Sequence, residues 1–359
     1  MRVDLNWINE EFVDLSHISP KNYAEAMEKL GHQVRFLPDA NTNTGSMICE
    51  IQVPDNRADC HSITGLARES AAAFGLSMNR REPHVEETEA GSIYDYLDVD
   101  VSAEWQCNRY TARMVVNLRP GPSPAWMQQR LLACGIQPEN NITDIANYVT
   151  LEYGQPVCAF DYSSIPNQML MIREAEEGEI ITSADGTVHT LEAGMLVTSD
   201  YFAPLGLAGI MTGPEAQITP DTTMVVFEAA NYRGEFIRTT AAALGIHNRH
   251  TSLFSLNPDP MLTLPAVQRA CELVQQLSAG DVLDGIIDVL NYVPEPRELP
   301  LDTEMINSML GTCMQEEEIT EYLETLEIPV ADHMIQLPSF RPDLNDIQDI
   351  AREIQRIRK

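Results

Sequence analysis

The sequence predicts an α+β fold that is distributed over several domains. Segments with apolar residues at helical spacing, such as 142–152, occur beside segments of alternating polarity, such as 48–53. Proline, glycine or charged residues concentrate at 79–91 and 294–296, where domain boundaries are expected. A chain of 359 residues is long enough for two or three domains. We expect a small N-terminal α+β domain (1–78), a large central α+β domain (79–285) and a compact C-terminal domain (286–359).

Local signals place the elements of the N-terminal domain. Pro20 suits the first turn of a helix that Gly31 ends. Residues 48–53 alternate as a strand should, and an alanine-rich helix follows at 62–74. Residues 38–46 have the composition of a turn or flexible linker.

The central and C-terminal domains show the same mixture of signals. In the central domain, we expect a hairpin turn at Asp185-Gly186 between strands 179–182 and 195–198. A glycine-rich loop at 205–213 precedes an apolar strand, and Glu228 follows that strand directly. Further helices are predicted at 125–134, 236–244, 261–277, 302–310, 316–326 and 345–358, and further strands at 158–161, 169–173, 299 onward and 335–338.

Residues 136–161 contain the densest set of candidate functional side chains. Asn140 or Asn141 is expected to cap a helix over 142–152, which Gly154 then ends. Thr143, Asp144 and Asn147 would share one face of this helix and form a polar wall beside a turn. The alternative interpretation is a capped helix with a solvated polar edge.

Composition limits the class of protein. The chain has 23 basic and 54 acidic residues, a formal charge of -31, which argues against independent nucleic-acid binding. Its 7 cysteines are odd in number and contain no Cys-x-x-Cys pair, which predicts free thiols in a reducing cytoplasm. We expect no signal peptide and no membrane-spanning run.

Several blocks in a fixed order resemble the bacterial phenylalanyl-tRNA synthetase beta chain. They are Asn140-Asn141, Asn147-Tyr148-Val149, Gly154-Gln155-Pro156 and Ala159-Phe160-Asp161, preceded by Cys107-Asn108-Arg109-Tyr110 and by Asp55-Asn56-Arg57-Ala58-Asp59-Cys60. Scattered blocks in order are more specific than one short motif. The resemblance covers the N-terminal half of that chain; it implies that residues 38–46 replace a tRNA-anchoring insert and that the C-terminal modules are lacking. It also implies a central domain of the tRNA-editing type and a winged-helix-like C-terminal domain.

The resemblance assigns roles to four residues of the central domain. Glu228 would accept a hydrogen bond from the hydroxyl of a wrongly attached tyrosine, and Gly209 would lie against the tyrosine ring. Asn141 would line the substrate pocket, and Asn147 would hold the ester or the attacking water. For Glu228, the alternative is an acid at a strand end that faces solvent.

Two of the departures from the family pattern predict a changed pocket. Cys158 stands where the family has histidine, and His250 stands where it has a small alanine. A histidine at that position is expected to fill the cavity. Cys158 is a candidate nucleophile with His247 or His250 as its base, or alternatively a small buried thiol. We therefore expect weak or absent hydrolysis of Tyr-tRNA.

The C-terminal domain contains the candidate metal ligands. Asp343, Asp349 and Glu353 match acids that the resemblance assigns to Mg2+, although Arg352 replaces a family glutamate. Asp349 and Glu353 are four residues apart and share a helix face. The alternative is that they pair with Arg352 or Arg356. Mg2+ is the expected cofactor, and ATP is expected only in the context of the holoenzyme.

The function that the resemblance implies is that of a beta-chain fragment or shortened paralogue. It would contribute to phenylalanine-tRNA ligase through a structural and editing-type domain with a weak pocket. The expected partner is the phenylalanyl-tRNA synthetase alpha chain, and tRNA-Phe would bind weakly if at all. We expect no membrane or DNA partner. The expected location is the cytoplasm. The alternatives are a non-catalytic paralogue that binds an aromatic amino acid or a protein partner, and a freestanding aminoacyl-ester hydrolase.

Overall fold

The structure, a computed structural model, describes residues 1–37, 47–86, 88–165 and 167–358. Helices and several mostly antiparallel sheets are mixed along the chain, which confirms the α+β prediction. The linker predicted at 38–46 lies outside the described residues. Within the described ranges, no helix combines the length and the apolar character needed to cross a membrane.

The chain divides into two compact units. The first contains Met1–Arg81, Leu132–Gly135 and Pro294–Lys359, and the second contains Glu82–Leu131 and Ile136–Val293. The boundaries of the three predicted domains, and the winged-helix-like character of the last one, stay predictions.

The N-terminal part of the first unit is a three-stranded antiparallel sheet with helices. Its elements are β1 (Arg2–Asp4), α1 (Leu5–Glu11), α2 (Pro20–Lys29), β2 (Gln33–Phe36), β3 (Ile48–Gln52) and α3 (Ile63–Phe74). β3 lies between β1 and β2. Ser19 and Ser62 cap α2 and α3 with their side chains, because a hydroxyl oxygen can accept from a free N–H group of the first turn.

The second unit contains two larger sheets and the helices around them. Its elements are β4 (Asp98–Val101), β5 (Cys107–Val116), α4 (Ala125–Ala133), α5 (Asn141–Tyr153), β6 (Cys158–Asp161), β7 (Met169–Glu174), β8 (Ile180–Thr182), β9 (Val188–Thr190), β10 (Leu196–Ser199), β11 (Pro204–Leu207), β12 (Met211–Thr212), β13 (Val225–Tyr232), α6 (Gly234–Leu244), α7 (Arg249–Ser255), α8 (Thr263–Gln276), β14 (Asp281–Val282) and β15 (Ile287–Leu290). One sheet has the strand order β12-β11-β10-β7-β4, and the other has the order β14-β5-β13-β6 with β15 also on β5. Apolar side chains of both sheets form one buried core.

Two expectations about this unit are wrong. Glu228 does not follow its strand but lies in the middle of β13, where it pairs with Ala112 of β5 and Cys158 of β6. The turn at Asp185-Gly186 joins β8 to β9 rather than to β10. In β13 the strand continues through Glu228 and the residues after it, because pairing with neighbouring strands outweighs local propensity. The hairpin instead includes β9, a short strand that was not predicted.

The C-terminal part of the first unit has a second small sheet. Its elements are β16 (Arg297–Pro300), α9 (Thr303–Leu310), α10 (Glu316–Thr325), β17 (Val330–Ala331), β18 (Met334–Leu337) and α11 (Ile347–Ile357). β18 lies between β16 and β17 and is antiparallel to both.

A buried ion network joins the two sequence-distant parts of the first unit. Glu69 on α3 is fully buried and accepts hydrogen bonds from Arg57 at 2.6 Å, from His32 at 3.1 Å and from Arg356 of α11. Burial alone would raise the pKa of Glu69, but the two guanidinium groups outweigh burial and hold this pKa well below its ordinary value. Removing the Glu69 carboxylate would take away an acid that Arg57 and Arg356 share, so the network makes the two parts depend on each other.

Candidate functional site

A cavity of about 420 Å³ opens in the second unit beside the predicted polar helix. Its volume lies within the usual range for small-molecule pockets. Its walls come from α5, from β6, from the loop that follows β11 and from the start of α7. The lining residues used below are Thr143, Asn147, Cys158, Met211, Arg249 and His250.

Helix α5 directs Asn147 toward the cavity. Asn140 caps the helix, and its Oδ1 atom accepts from the N–H groups of Ile142 at 3.1 Å and Thr143 at 2.9 Å. Thr143 and Asn147 are four residues apart, so they share the face that lines the cavity. The prediction of a polar wall is therefore confirmed for these two side chains, and Asn147 is half-buried there.

Two other polar residues of this helix serve the fold instead. The Asn141 amide accepts from the N–H of Gly121 at 3.0 Å and donates to the carbonyl of Arg119 at 3.0 Å. Asp144 accepts from the Ser123 hydroxyl at 2.5 Å and from the Glu139 N–H at 2.9 Å. The expectation that Asn141 lines the substrate pocket is not supported, because its hydrogen-bonding groups are occupied by a neighbouring loop.

Cys158 and His250 meet in the cavity wall, 92 residues apart in sequence. The Cys158 Sγ atom lies 4.0 Å from His250 Nδ1. Burial lowers the pKa of His250 to about 4, with a smaller contribution from the charge of Arg249. Burial, and next the charge of Glu228, raises the pKa of the Cys158 thiol. The pair is therefore neutral at neutral pH, which favours a buried thiol over an activated nucleophile.

Helix α7 holds His250 in place and was not predicted. Asn248 caps the helix and forms a reciprocal capping box with Thr251, and its Nδ2 atom donates to the Ile210 carbonyl at 2.7 Å. This bond ties α7 to the loop after β11. The spacing of Asn248 and Thr251 is a local capping signal that sequence analysis had available. Arg249, which also lines the cavity, was missed with the helix.

Glu228 lies behind the cavity wall rather than in it. It is 3% exposed, and it stands directly across from Cys158 in the antiparallel pair. Its Oε1 atom accepts from the Tyr232 hydroxyl at 3.3 Å, while Oε2 has no hydrogen-bond partner among the described residues. Burial raises the pKa of Glu228 to about 7, although the hydroxyls of Tyr232 and Tyr110 oppose the increase. The solvent-facing alternative for Glu228 is wrong.

Gly209 faces protein side chains instead of the cavity. It has φ +70°, a conformation that favours glycine. A Cβ atom placed on it would lie 2.8 Å from Tyr232, 3.0 Å from Ile237 and 3.0 Å from Phe254. Thus Asn147, Cys158 and His250 come together around the cavity, whereas Gly209 and Glu228 meet in an adjoining buried cluster.

The three predicted metal ligands are engaged by other groups of the first unit. Arg341 donates two hydrogen bonds to Asp343, at 2.8 and 2.9 Å, and one to Glu353 at 3.1 Å. Asp349 accepts from the Asn345 N–H at 2.8 Å and pairs with Arg352 at 3.2 Å. This arrangement does not fit a magnesium site, and Mg2+ binding stays a prediction.

Within the described part of the chain, a different cluster has ligand atoms close enough together for a metal ion, which the predicted acids are not shown to have. It consists of His32, Cys60 and Glu69, which are all buried. Glu69 belongs to the arginine network described above, and the charges of Arg57 and Arg356 oppose a cation there.

Comparison with known families identifies two domains in the chain. Residues 106–279 match the family described as B3/4 domain, and residues 299–358 match the tRNA synthetase B5 domain. A solved structure, an N-terminal fragment of the phenylalanyl-tRNA synthetase beta-subunit from Pyrococcus horikoshii, covers 99% of both chains with a TM-score of 0.53 and 15% identity. That similarity supports the fold alone. The chain therefore contains one region similar to a B3/4 domain and one similar to a tRNA synthetase B5 domain.

Curated relatives extend this similarity to nearly the whole chain. The chain is 35% identical over 353 residues to the phenylalanine--tRNA ligase beta subunit of Clostridium acetobutylicum, covering 92% of this chain and 44% of the relative. It is 32% identical to the beta subunit of Bacillus cereus, covering 99% and 43% respectively. The resemblance to phenylalanyl-tRNA synthetase beta chains is therefore confirmed along nearly the whole of this chain, which spans less than half the length of these relatives.

Proposed function

We propose that the chain serves as a beta-subunit component of a phenylalanine-tRNA ligase, and that its cavity is an altered aminoacyl-ester site with weak hydrolytic activity. Similarity along 92 to 99% of the chain supports the beta-subunit assignment over a freestanding hydrolase or a non-catalytic paralogue. The observation that carries the altered pocket is the position of Glu228. Its carboxylate accepts a hydrogen bond from the chain's own Tyr232, and Glu228 stands directly across from Cys158 in the antiparallel pair without lining the cavity.

Weak hydrolysis follows from the groups available in the cavity. Asn147 presents an amide that can orient an ester carbonyl or a water molecule. A general base works best with a pKa near the operating pH. The pKa of His250, at about 4, lies too low for efficient proton removal at neutral pH. Glu228 has a suitable pKa of about 7, but it does not line the cavity.

Deacylation of Tyr-tRNA tests this proposal. The chain should hydrolyse Tyr-tRNA far more slowly than an intact beta-subunit relative measured as the positive control. Any residual rate should fall on Asn147→Ala and persist in Asn141→Ala, the matched control whose amide serves the fold. A rate equal to that of the intact relative would refute the altered pocket.

The proposed partner is the phenylalanyl-tRNA synthetase alpha chain, because the relatives are named as one subunit of a ligase. ATP use, and any docking of tRNA-Phe, would then belong to the assembled ligase, since the net charge of -31 disfavours phosphate contacts by this chain alone. All seven cysteines lie in the described ranges as free thiols, which supports a reducing compartment such as the cytoplasm. Co-purification with an alpha chain is expected, and its failure at micromolar concentrations would contradict the assignment.

A further inference from the structure

The cavity lies along the outer edges of two different sheets. β6 is the last strand of one sheet and β12 is the last strand of the other, and among the described strands each pairs with a single neighbour, β13 and β11 respectively. Residues 157–159 and residues 210–212 line the cavity without a break. Because neighbouring side chains of a strand point to opposite faces, a cavity lined by consecutive residues runs along the strand edge.

The register of β6 shows which of its main-chain groups point into the cavity. The Tyr162 N–H donates to the Met224 carbonyl at 3.1 Å, and from this pair onward hydrogen-bonded and non-bonded pairs alternate between β6 and β13. Ala159 stands opposite Phe227 in a non-bonded pair, so its N–H and C=O groups point away from β13. Ala159 is half-buried and lines the cavity, which means that both groups are directed there.

The same alternation directs main-chain groups of β12 toward the cavity. The Gly213 N–H donates to the Leu205 carbonyl at 2.7 Å, and Thr212 pairs with Gly206 in the next, non-bonded position. The N–H and C=O groups of Thr212 therefore point away from β11, and Thr212 lines the cavity. Main-chain groups at a strand edge are the groups that an added extended strand binds.

Side chains of opposite charge stand toward the two ends of the β6 edge. Arg249 lines the cavity and is adjacent to the histidine that contacts Cys158, the first residue of β6. Thr150, near the end of α5, accepts at 3.0 Å from the N–H group that precedes β6. Glu139 also lines the cavity but precedes α5, at the opposite end of that helix from Thr150. A ligand with its carboxylate at Arg249 and its amine at Glu139 would complement both charges.

We propose that the cavity binds a short extended peptide with free termini, which adds to β6 as an antiparallel strand. The central residue of a tripeptide would donate its N–H to the Ala159 carbonyl and accept from the Ala159 N–H. A tripeptide spans about 10 Å when extended, and the four residues of β6 span about 13 Å, so its two termini reach the charged ends of the edge. This ligand class goes beyond the proposed function, because main-chain pairing requires neither an ester nor hydrolysis.

Binding of a tripeptide and of its methylated counterpart tests the proposal. The probe is the alanine tripeptide with free termini, and the matched control carries a methyl group on the central amide nitrogen, which removes the donor to Ala159. In the full chain, calorimetric titration should show that the tripeptide binds at least about tenfold tighter than the methylated peptide. The tripeptide should also raise the unfolding midpoint. Equal binding of the two peptides, or binding of neither, would overturn the proposal.

A pair of variants tests the edge of β6 directly. Ala159→Pro removes the N–H group that points into the cavity, and an edge strand tolerates proline where the missing N–H faces away from its partner strand. Ala159→Ser keeps the N–H group and is the matched control. The tripeptide should bind Ala159→Pro at least about tenfold more weakly than it binds Ala159→Ser. Equal affinity of the two folded variants would overturn the proposal.

Hydrogen exchange in the unaltered chain keeps the proposal testable if Ala159→Pro does not fold. The tripeptide should slow exchange of the Ala159 amide, because that N–H becomes hydrogen-bonded, whereas the methylated peptide at the same concentration should not. Exchange of this amide that the tripeptide leaves unchanged would overturn the added strand.

The outcomes distinguish this inference from the proposed function. Failure of the tripeptide to bind, together with slow Tyr-tRNA hydrolysis by the unaltered chain, would overturn the added strand alone. Hydrolysis at the rate of the intact relative, together with preferential binding of the tripeptide, would overturn the altered pocket alone.

Discussion

Replacing Glu228 with glutamine should remove the pH dependence that this buried carboxyl imposes on stability. Glu228 has a pKa of about 7 in the folded chain, against an ordinary value of 4.5. That difference corresponds to about 3 kcal/mol. Because the pKa is raised on folding, the stabilising contribution is fully present below pH 4.5 and is lost as the pH rises through 7.

Glutamine keeps the shape of the side chain and an oxygen that can accept from Tyr232, but it never ionises. Relative to the unaltered chain, Glu228→Gln should therefore gain about 3 kcal/mol of stability between about pH 4 and about pH 8.5. Urea denaturation followed by circular dichroism at a series of pH values measures the difference in unfolding free energy. Glu104→Gln, at an exposed position of the same unit, controls for removing one acid from a chain of net charge -31.

The result that refutes this reasoning is specific. A difference between Glu228→Gln and the unaltered chain that stays constant with pH would mean that burial does not raise the pKa of Glu228. A difference of the opposite sign would mean that the carboxylate is held ionised, as Glu69 is.

Three further predictions concern the fold and the metal expectation. Glu69→Gln should destabilise the first unit by about 3–5 kcal/mol, because it removes a buried carboxylate that Arg57 and Arg356 share, and the loss is measured by urea denaturation. A loss below about 1 kcal/mol would contradict a buried network. Asn140→Ala should lower the free energy of unfolding by about 1 kcal/mol, because α5 loses its cap. Asn140→Ser, which keeps a capping side chain, should lower it less in the same assay. Millimolar Mg2+ should leave the heat-denaturation midpoint unchanged, because Arg341 engages both Asp343 and Glu353, and a rise would restore the magnesium expectation.

The starts and ends of helices were the most predictable part of this protein. Asn140, Ser19 and Ser62 were expected near helix starts and do cap them, and Gly154 ends α5 with φ +73°. These features depend on backbone groups within one turn, so a short window of sequence contains the whole interaction. The helix at 249–255 was missed although its capping residues were equally local.

The order of family-specific blocks also predicted the class of protein correctly, because such blocks are recognised from the identity and order of residues and not from their contacts. The role of each residue in the site depends on contacts with residues that are distant in sequence. Asn141 stood in a family block, yet its amide is bonded to a loop about 20 residues away in sequence. Sequence position alone could not separate this structural role from a binding role.

The sequence by itself therefore determined the α+β character, the helix limits, the family and the side of α5 that carries Asn147. Only the tertiary structure decided that Glu228 lies inside a strand and bonds Tyr232, that Cys158 meets His250, and that Arg341 holds the predicted metal ligands. The physical reason is that hydrogen bonding, burial and pKa depend on neighbours that sheet pairing brings together from distant parts of the chain.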